Sequence, residues 1–309
     1  MSYPLKLRDL THLAGFSAFL GAGVGSMIGR SSPRMERLWV RVIYAIAKRS
    51  KRVQSATQDN LRTCFPDKTA EEINTLADLA TREVARSVVE TFKVWFPRRS
   101  RCEPCSNVEY HGLEHFEAAL SKDRGILLLN CHFGSLDLNG SFFGRLNRRG
   151  RRLIGVYRRP SNPYADKVLR HARTSVCDRA IPINQPRAIL AELKAGSIVW
   201  IAPDLEASGP RAVFVDFFGV PASTTTWPSR IAAMSNAVVL PVRHTRLCDG
   251  YNFAYEFLAP FKAFPSGNDA KDARRFNKYI EHVIEQKPEM YWWCIKRFKH
   301  RPAPAAGDV

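Results

Sequence analysis

The chain has 309 residues, enough for one large core or two modest ones, and 45% of them are hydrophobic, which excludes a disordered protein. A formal net charge of +18 calls for an anionic partner: nucleic acid, an anionic membrane surface or an acidic protein. Seven scattered cysteines, an odd number, and no convincing secretory signal point to a reducing, cytosolic setting.

Residues 10–29, LTHLAGFSAFLGAGVGSMIG, hold no Asp, Glu, Lys or Arg. A bilayer crossing needs about 20 apolar residues, so the stretch is marginal in length and composition. Gly15, Gly21, Gly23, Gly25 and Gly29 disfavour a helix in water but are common in membrane helices. The segment reads as a membrane anchor, spanning or interfacial, in preference to a buried core helix. Arg30, Arg34, Arg37, Arg41, Lys48, Arg49, Lys51 and Arg52 follow, interleaved with Leu38, Trp39, Val42, Tyr44 and Ile46. That pattern predicts an amphipathic helix with cationic rims, suited to an anionic cytoplasmic leaflet. A second long helix is expected over 70–96, where Ile73, Leu76, Ala80, Val84, Val88 and Phe92 recur at threes and fours and Pro97 ends the run. Trp95 and Phe96 beside Arg98, Arg99 and Arg101 resemble an interfacial patch. A boundary falls near 100–107. Cys102 and Cys105 form a C-x-x-C there, with no second ligand pair nearby, so no metal site is expected.

From residue 108 the pattern changes to alternating strands and helices. Helices are expected over 113–121, 135–148, 162–176, 188–193, 224–234 and 270–285. Strands are expected over 126–130, 153–158, 197–204 and 213–218, with a strand pair over 237–247 and 251–258 joined at Asp249-Gly250. Such alternation implies an α/β fold: a mainly parallel mixed sheet flanked by helices, preceded by a helical, membrane-associated N-terminal region. The chain divides into 1–30 as anchor or interfacial helix, 31–107 as amphipathic helical region, 108–302 as α/β catalytic domain and 303–309 as flexible tail.

Residues 125–140, GILLLNCHFGSLDLNG, carry the chemistry. The apolar run Ile126 to Leu129 reads as a buried strand, followed at once by Cys131 and His132. Asp137 lies five residues beyond His132; in a continuous helix the two would point about 140° apart, at roughly 100° per residue. They meet only if the chain turns between them, and Gly134-Ser135 is suitable turn chemistry. Ser135 can cap the next helix, placing Asp137 in its first turn, where the dipole favours a carboxylate. His132 with Asp137 is therefore the expected general base and its acid. His132, Arg158 and Asp204 each sit at the end of a predicted strand, and ligands of parallel sheets bind beyond the carboxyl ends of strands. Cys131 is a rival nucleophile, but adjacent residues leaving a strand point to opposite faces, which turns Cys131 into the core.

Ordered blocks across the chain carry a resemblance: NLRTCFP at 60–66, GILLLNCHFGSLDL at 125–138, GVYRRPSNPYADKVL at 155–169, IVWIAPD at 198–204, VFVDFFGVPASTTTWPSRIA at 213–232, AVVLPV at 237–242 and PEMYWWCIKRFKHRP at 288–302. The chain resembles the lipid A biosynthesis acyltransferases of the lauroyl/myristoyl type, within the lysophospholipid acyltransferase superfamily. The resemblance implies a glycerolipid-acyltransferase-like fold and direct transfer of an acyl chain from a thioester to a lipid hydroxyl. It makes His132 the general base and Asp137 its orienting acid; many lipid A members have Glu at that place. It makes Arg158, with Arg159 beside it, and Asp204 substrate-binding residues, Arg158 for a phosphate on the acceptor. It implies no cofactor and no metal. The implied partners are an acyl carrier protein bringing the donor, a phosphorylated glycolipid acceptor and the anionic inner membrane of a bacterium, approached from its cytoplasmic face. A glycerophospholipid, aminolipid or polyene-type acceptor is the alternative within the enzyme reading. Nucleic-acid binding, the rival suggested by charge, lacks a recognisable reader motif. The basic run Arg145, Arg148, Arg149, Arg151 and Arg152 is expected either to meet the carrier or the acceptor headgroup, or to be a solvated turn.

Overall fold

The computed structural model describes residues 13–97, 108–247 and 252–300. Four helices come first: α1 Leu13–Gly29, α2 Pro33–Arg49, α3 Lys51–Cys64 and α4 Ala70–Trp95. The α/β part then runs β1 Val108–His111, α5 Leu113–Leu120, β2 Ile126–Leu129, α6 Leu136–Gly144, β3 Leu153–Tyr157, α7 Pro163–Arg173, β4 Arg179–Pro182, α8 Pro186–Lys194 and β5 Ile198–Ile201. It continues with β6 Ala212–Phe217, β7 Val220–Thr225, α9 Trp227–Ser235, β8 Val238–Arg246, β9 Phe253–Phe257 and α10 Asp269–Gln286, then a 3-10 turn at Pro288–Met290. The seven-stranded sheet has the order β1-β9-β8-β2-β5-β3-β4, and β6 and β7 form a separate hairpin. Every pair in the large sheet is parallel except β8 with β9, so the α/β, mainly parallel mixed sheet expected from the alternation is what forms.

The sheet separates two apolar layers because side chains alternate along a strand. Leu127 and Leu129 of β2 face a layer with α3, α4, α8 and α10, including Leu61, Ile73, Leu193 and Ile280. Ile126 and Leu128 face the other layer, with Phe116 of α5 and Leu138, Phe142 and Phe143 of α6. All four β2 side chains are buried, which is why this strand reads as a continuous apolar run rather than an alternating one. Each contributes roughly 1.5–3 kcal/mol by burial, so a polar substitution anywhere in β2 is costly.

Gly25 and Gly29 of α1 are explained by close approach. A Cβ on Gly25 would stand 2.6 Å from the Phe92 ring, and one on Gly29 2.3 Å from the Phe92 carbonyl oxygen. These glycines let α1 lie against α4. Ala18, Ala22 and Ile28 are buried, while Leu20, Val24 and Met27 are exposed. Among the described residues, no helix is long and apolar enough to cross a membrane. The basic amphipathic stretch expected over 30–52 divides at Ser50, whose N–H donates to Ala47 O at the end of α2 and whose Oγ accepts from Val53 N at the start of α3. No α2 residue is buried, and Met35, Leu38, Val42 and Ile46 are exposed on it. α4 matches its expected span and opens with a capping box between Thr69 and Glu72.

Three strands were not legible. β1 and β4 are four residues each, too short for a period to show. The helix expected from Thr224 starts later, because Thr224 and Thr225 pair with Val213 and Ala212 of β6 as part of β7, and the helix begins at Trp227. Phe218 and Gly219, both at positive φ, make the two-residue turn of that hairpin. The C-x-x-C at Cys102 and Cys105, the Asp249-Gly250 turn and the 303–309 tail lie outside the described residues.

Candidate active site

The parallel register brings the site together. Leu129 of β2 pairs with Ile201 of β5, and β3 flanks β5 on the other side. Three residues beyond that pair, on adjacent strand ends, stand His132 and Asp204. His132 Nδ1 lies 2.6 Å from Asp204 Oδ1, and His132 N–H donates to Asp204 Oδ2 at 2.8 Å. Asp204 is wholly buried. Burial alone raises a carboxyl pKa, but the charge and hydrogen bond of the His132 ring and the backbone N–H groups of His132 and Asp204 together hold it below the usual range. An ionised carboxylate only accepts, so in the neutral imidazole Nδ1 carries the ring hydrogen and Nε2 keeps its lone pair.

This corrects the expected pairing of His132 with Asp137. Asp137 does stand in the first turn of α6, with Ser135 capping that helix by accepting from Leu138 N. Its side chain turns to Arg173 at the end of α7: Arg173 Nε is 3.1 Å from Asp137 Oδ1, and Nη2 donates to Oδ2 at 3.5 Å. No hydrogen bond or ion pair joins Asp137 to His132. The acid that holds His132 comes from β5, 72 residues away in sequence.

A cavity of about 300 Å³ opens beyond the strand ends, lined by His132, Arg158, Arg173, Trp200 and Trp227 among others. Arg158, as expected, lines it; its side chain is exposed and has no ion-pair partner among the described residues. Arg159, expected beside it, does not line the cavity: its Nε lies 3.4 Å from Asp166 Oδ2, and Asp166 also accepts from Tyr157 O–H. Glu206 lines the cavity, but His300 N–H donates to one of its oxygens and His300 Nδ1 lies 3.1 Å from the other. Leu136, Val156, Ile183 and Leu205 add an apolar wall. Arg173 and Trp227 escaped sequence reasoning, since nothing in their spacing relates them to His132.

The His132 turn is clamped by the C-terminal segment. Gly134, at φ 58°, donates its N–H to Met290 O, Trp292 N–H donates to His132 O, and Trp292 Nε1 donates to Gly134 O. Asn60 Nδ2 in turn donates to Trp293 O and Ile295 O, both at 2.7 Å, which ties α3 to the segment that clamps the turn. Cys131 is fully buried in the apolar layer, as expected, and burial pushes its thiol well up. The basic run after α6 lies at the opposite, amino-terminal edge of β3. Arg148 pairs with Asp178 at 2.6 Å, Arg149 with Glu117 at 2.5 Å and Arg152 with Glu192 at 2.6 Å, and Arg151 donates to main-chain carbonyls of Leu120, Lys122 and Gly196. Those four arginines join elements of the fold and do not line the cavity. Among the described residues, no three His, Cys, Asp or Glu side chains are gathered as metal ligands.

The family model for bacterial lipid A biosynthesis acyltransferase matches residues 4–300. The chain is 32% identical over 253 residues to the lipid A biosynthesis lauroyltransferase of Escherichia coli (strain K12), covering 82% of this chain and 81% of that one. It is 31% identical to the palmitoleoyltransferase of the same strain, over 82% of this chain and 80% of that one. It is also 31% identical to a lipid A biosynthesis acyltransferase of Haemophilus influenzae, over 84% and 82%. A parallel sheet with an acid-held histidine at its carboxyl edge, an arginine-flanked cavity beside it and matching sequence along nearly the whole chain lead to one conclusion: the protein belongs to the bacterial lipid A biosynthesis acyltransferase family and is an acyltransferase.

Proposed function

We propose that the protein moves a fatty acyl chain from an acyl carrier protein thioester to a hydroxyl of a phosphorylated lipid A precursor, at the cytoplasmic face of the bacterial inner membrane. The observation that carries the mechanism is the 2.6 Å contact between His132 Nδ1 and buried Asp204. Asp204 fixes the tautomer, so Nε2 takes the proton of the acceptor hydroxyl as its oxygen attacks the thioester carbonyl. The imidazolium that forms is stabilised by the same carboxylate. The carbonyl oxygen gains charge in the tetrahedral species; the N–H groups of Leu136 and Asp137, in the first turn of α6, have no intrahelical partner and are the donors assigned to it. Collapse of that species forms the ester and expels the carrier's thiolate, which takes up the proton held by His132. Cys131 takes no part.

Arg158 at the cavity rim supports an anionic acceptor. The exposed apolar residues of α1 and α2, next to Arg34, Arg37, Arg41 and Arg49, support docking on an anionic bilayer surface rather than a crossing. The relatives' names favour lipid A over a glycerophospholipid or aminolipid acceptor. Mass spectrometry of total lipids from a deletion strain tests the reading. The expected result is lipid A lighter by one acyl chain; unchanged lipid A beside a missing phospholipid or aminolipid defeats it.

A further inference from the structure

We propose that Thr91 of α4 is a positioning residue for the acyl transfer: its hydroxyl fixes the Ser135 cap of α6, and with it the aim of the backbone N–H groups that open that helix. The inference rests on the acyl-transfer reading above and deepens it. Ser135 O accepts from Asn139 N at 3.1 Å, and Ser135 Oγ accepts from Leu138 N at 3.3 Å. Those two bonds leave the N–H groups of Leu136 and Asp137 without a partner inside the helix. Leu136 lines the cavity beside His132, so the free pair stands at its edge. Where these donors point depends on how the first turn of α6 is held.

Ser135 is wholly buried, and its Oγ lies 2.9 Å from Thr91 Oγ1. Thr91 has one hydroxyl hydrogen, which it donates to Ser87 O at 2.8 Å, so across the shared contact Ser135 is the donor. The chain therefore runs one way, from Leu138 N–H through Ser135 and Thr91 to the Ser87 carbonyl. Neither hydroxyl can turn without leaving a buried donor or acceptor unmet. Thr91 itself is held fast by its neighbours. Glu90 pairs with Arg246 of β8 at 2.6 Å, Phe92 closes on Gly25 and Gly29 of α1, and Lys93 pairs with Glu36 of α2. Successive helical residues point roughly 100° apart, so these contacts grip α4 around its circumference and stop it from rotating Thr91 away from Ser135. The start of α6 is thus referred to a helix that β8, α1 and α2 all hold in place.

The test is steady-state transfer by Thr91→Val, which keeps the shape and removes the hydroxyl, beside Thr91→Ser, Thr81→Val, Ser135→Ala and the double variant T91V/S135A. Thr81 is the comparator on the same helix: it likewise donates to a carbonyl one turn back, Ala77 O at 2.7 Å, but its other partner is Gln54 of α3. Melting temperatures are read for every variant. T91V should lower kcat by about tenfold to a hundredfold, with KM for both substrates within about threefold and the pH dependence of kcat unchanged, since His132 and Asp204 are untouched. T91S should return kcat to within about threefold of wild type, and T81V should keep it there at a comparable loss of Tm. The double variant should be no slower than S135A, because Thr91 acts through Ser135. It leaves neither hydroxyl without a partner, so it carries the test even if T91V alone does not fold. A T91V with kcat within about threefold of wild type, a T81V as slow as T91V, a T91S without recovery, a shifted pH profile, or a double variant about tenfold slower than S135A overturns the proposal. If the wild type moves no acyl chain to any lipid acceptor, the acyl-transfer reading itself has failed; a normal wild type with non-conforming variants fails this inference alone.

Discussion

Replacing Asp204 by Asn is the sharpest test of the proposed base. The two are the same shape, and the site constrains which way an amide can sit. One carboxylate oxygen accepts from the fixed His132 backbone N–H at 2.8 Å and the other from Nδ1 at 2.6 Å. An Asn has one acceptor and one donor end. With its oxygen on the backbone N–H, its NH₂ points at Nδ1, which must give up its hydrogen. The ring then carries that hydrogen on Nε2 and has no lone pair for the acceptor hydroxyl. The opposite amide orientation sets NH₂ against the backbone N–H, an unpaired donor pair in a site where Asp204 is wholly buried. The first orientation is therefore the favoured one; in it the base is lost, and in both the charge that stabilised the imidazolium is gone. General-base catalysis contributes about 10²–10⁴ in rate, or roughly 2.7–5.5 kcal/mol of barrier. D204N should therefore lower kcat by about two to four orders of magnitude and leave KM for both substrates within about threefold. The assay is initial-rate transfer from acyl carrier protein thioester to the phosphorylated acceptor, with circular dichroism and Tm to show that the variant folds. A folded D204N with kcat within about threefold of wild type would refute the assignment of Asp204 to His132.

Cys131→Ala should leave kcat within about threefold of wild type in the same assay, because direct transfer needs no thiol nucleophile and Cys131 is fully buried. His244 lies behind the Gly134 turn, among Phe133, Phe142 and Phe253, with neither ring nitrogen hydrogen-bonded, and burial lowers its pKa from 6.5 to about 3. The unfolded chain binds that proton below pH 6.5 while the native one does not, so stability is lost as pH falls from 6.5 towards 3. The loss is roughly 2 kcal/mol by pH 5, and His244→Leu should flatten that part of the Tm–pH curve. A curve with the same acid slope in the variant contradicts it. Leu38→Glu with Ile46→Glu should weaken co-sedimentation with anionic vesicles by at least about tenfold. Both positions are exposed on α2, so unfolding free energy should change by no more than about 1 kcal/mol. Unchanged vesicle binding would remove α2 from the docking surface.

The long or strongly patterned elements were legible in the sequence for definite reasons. β2 and β5 are buried on both faces and so read as apolar runs, α4 spans 26 residues with a clear period and a capping box, and Ser135 and Asn162 mark the starts of α6 and α7. β1, β4 and β7 were hidden because a strand of four to six residues carries too little periodicity, and Thr224 looked like a cap while serving as a strand residue. Gly25 and Gly29 could be seen, but their reason could not: it lies in Phe92 of α4 and in Phe96 just beyond its end.

What the sequence by itself determined is the alternation that makes a parallel sheet, the delivery of His132, Arg158 and Asp204 to its carboxyl edge, and the block pattern of the family. These follow from local hydrophobic period, turn chemistry and order along the chain, all of which are properties of neighbours in sequence. The tertiary structure alone decided which acid holds which cation. Two carboxylates, Asp137 and Asp204, were available to His132, and spacing favoured the nearer one. The β2–β5 register set Asp204 against the imidazole, and the end of α7 set Arg173 against Asp137. A hydrogen bond is decided over less than 1 Å by strand register and helix placement, and no count of intervening residues carries that information.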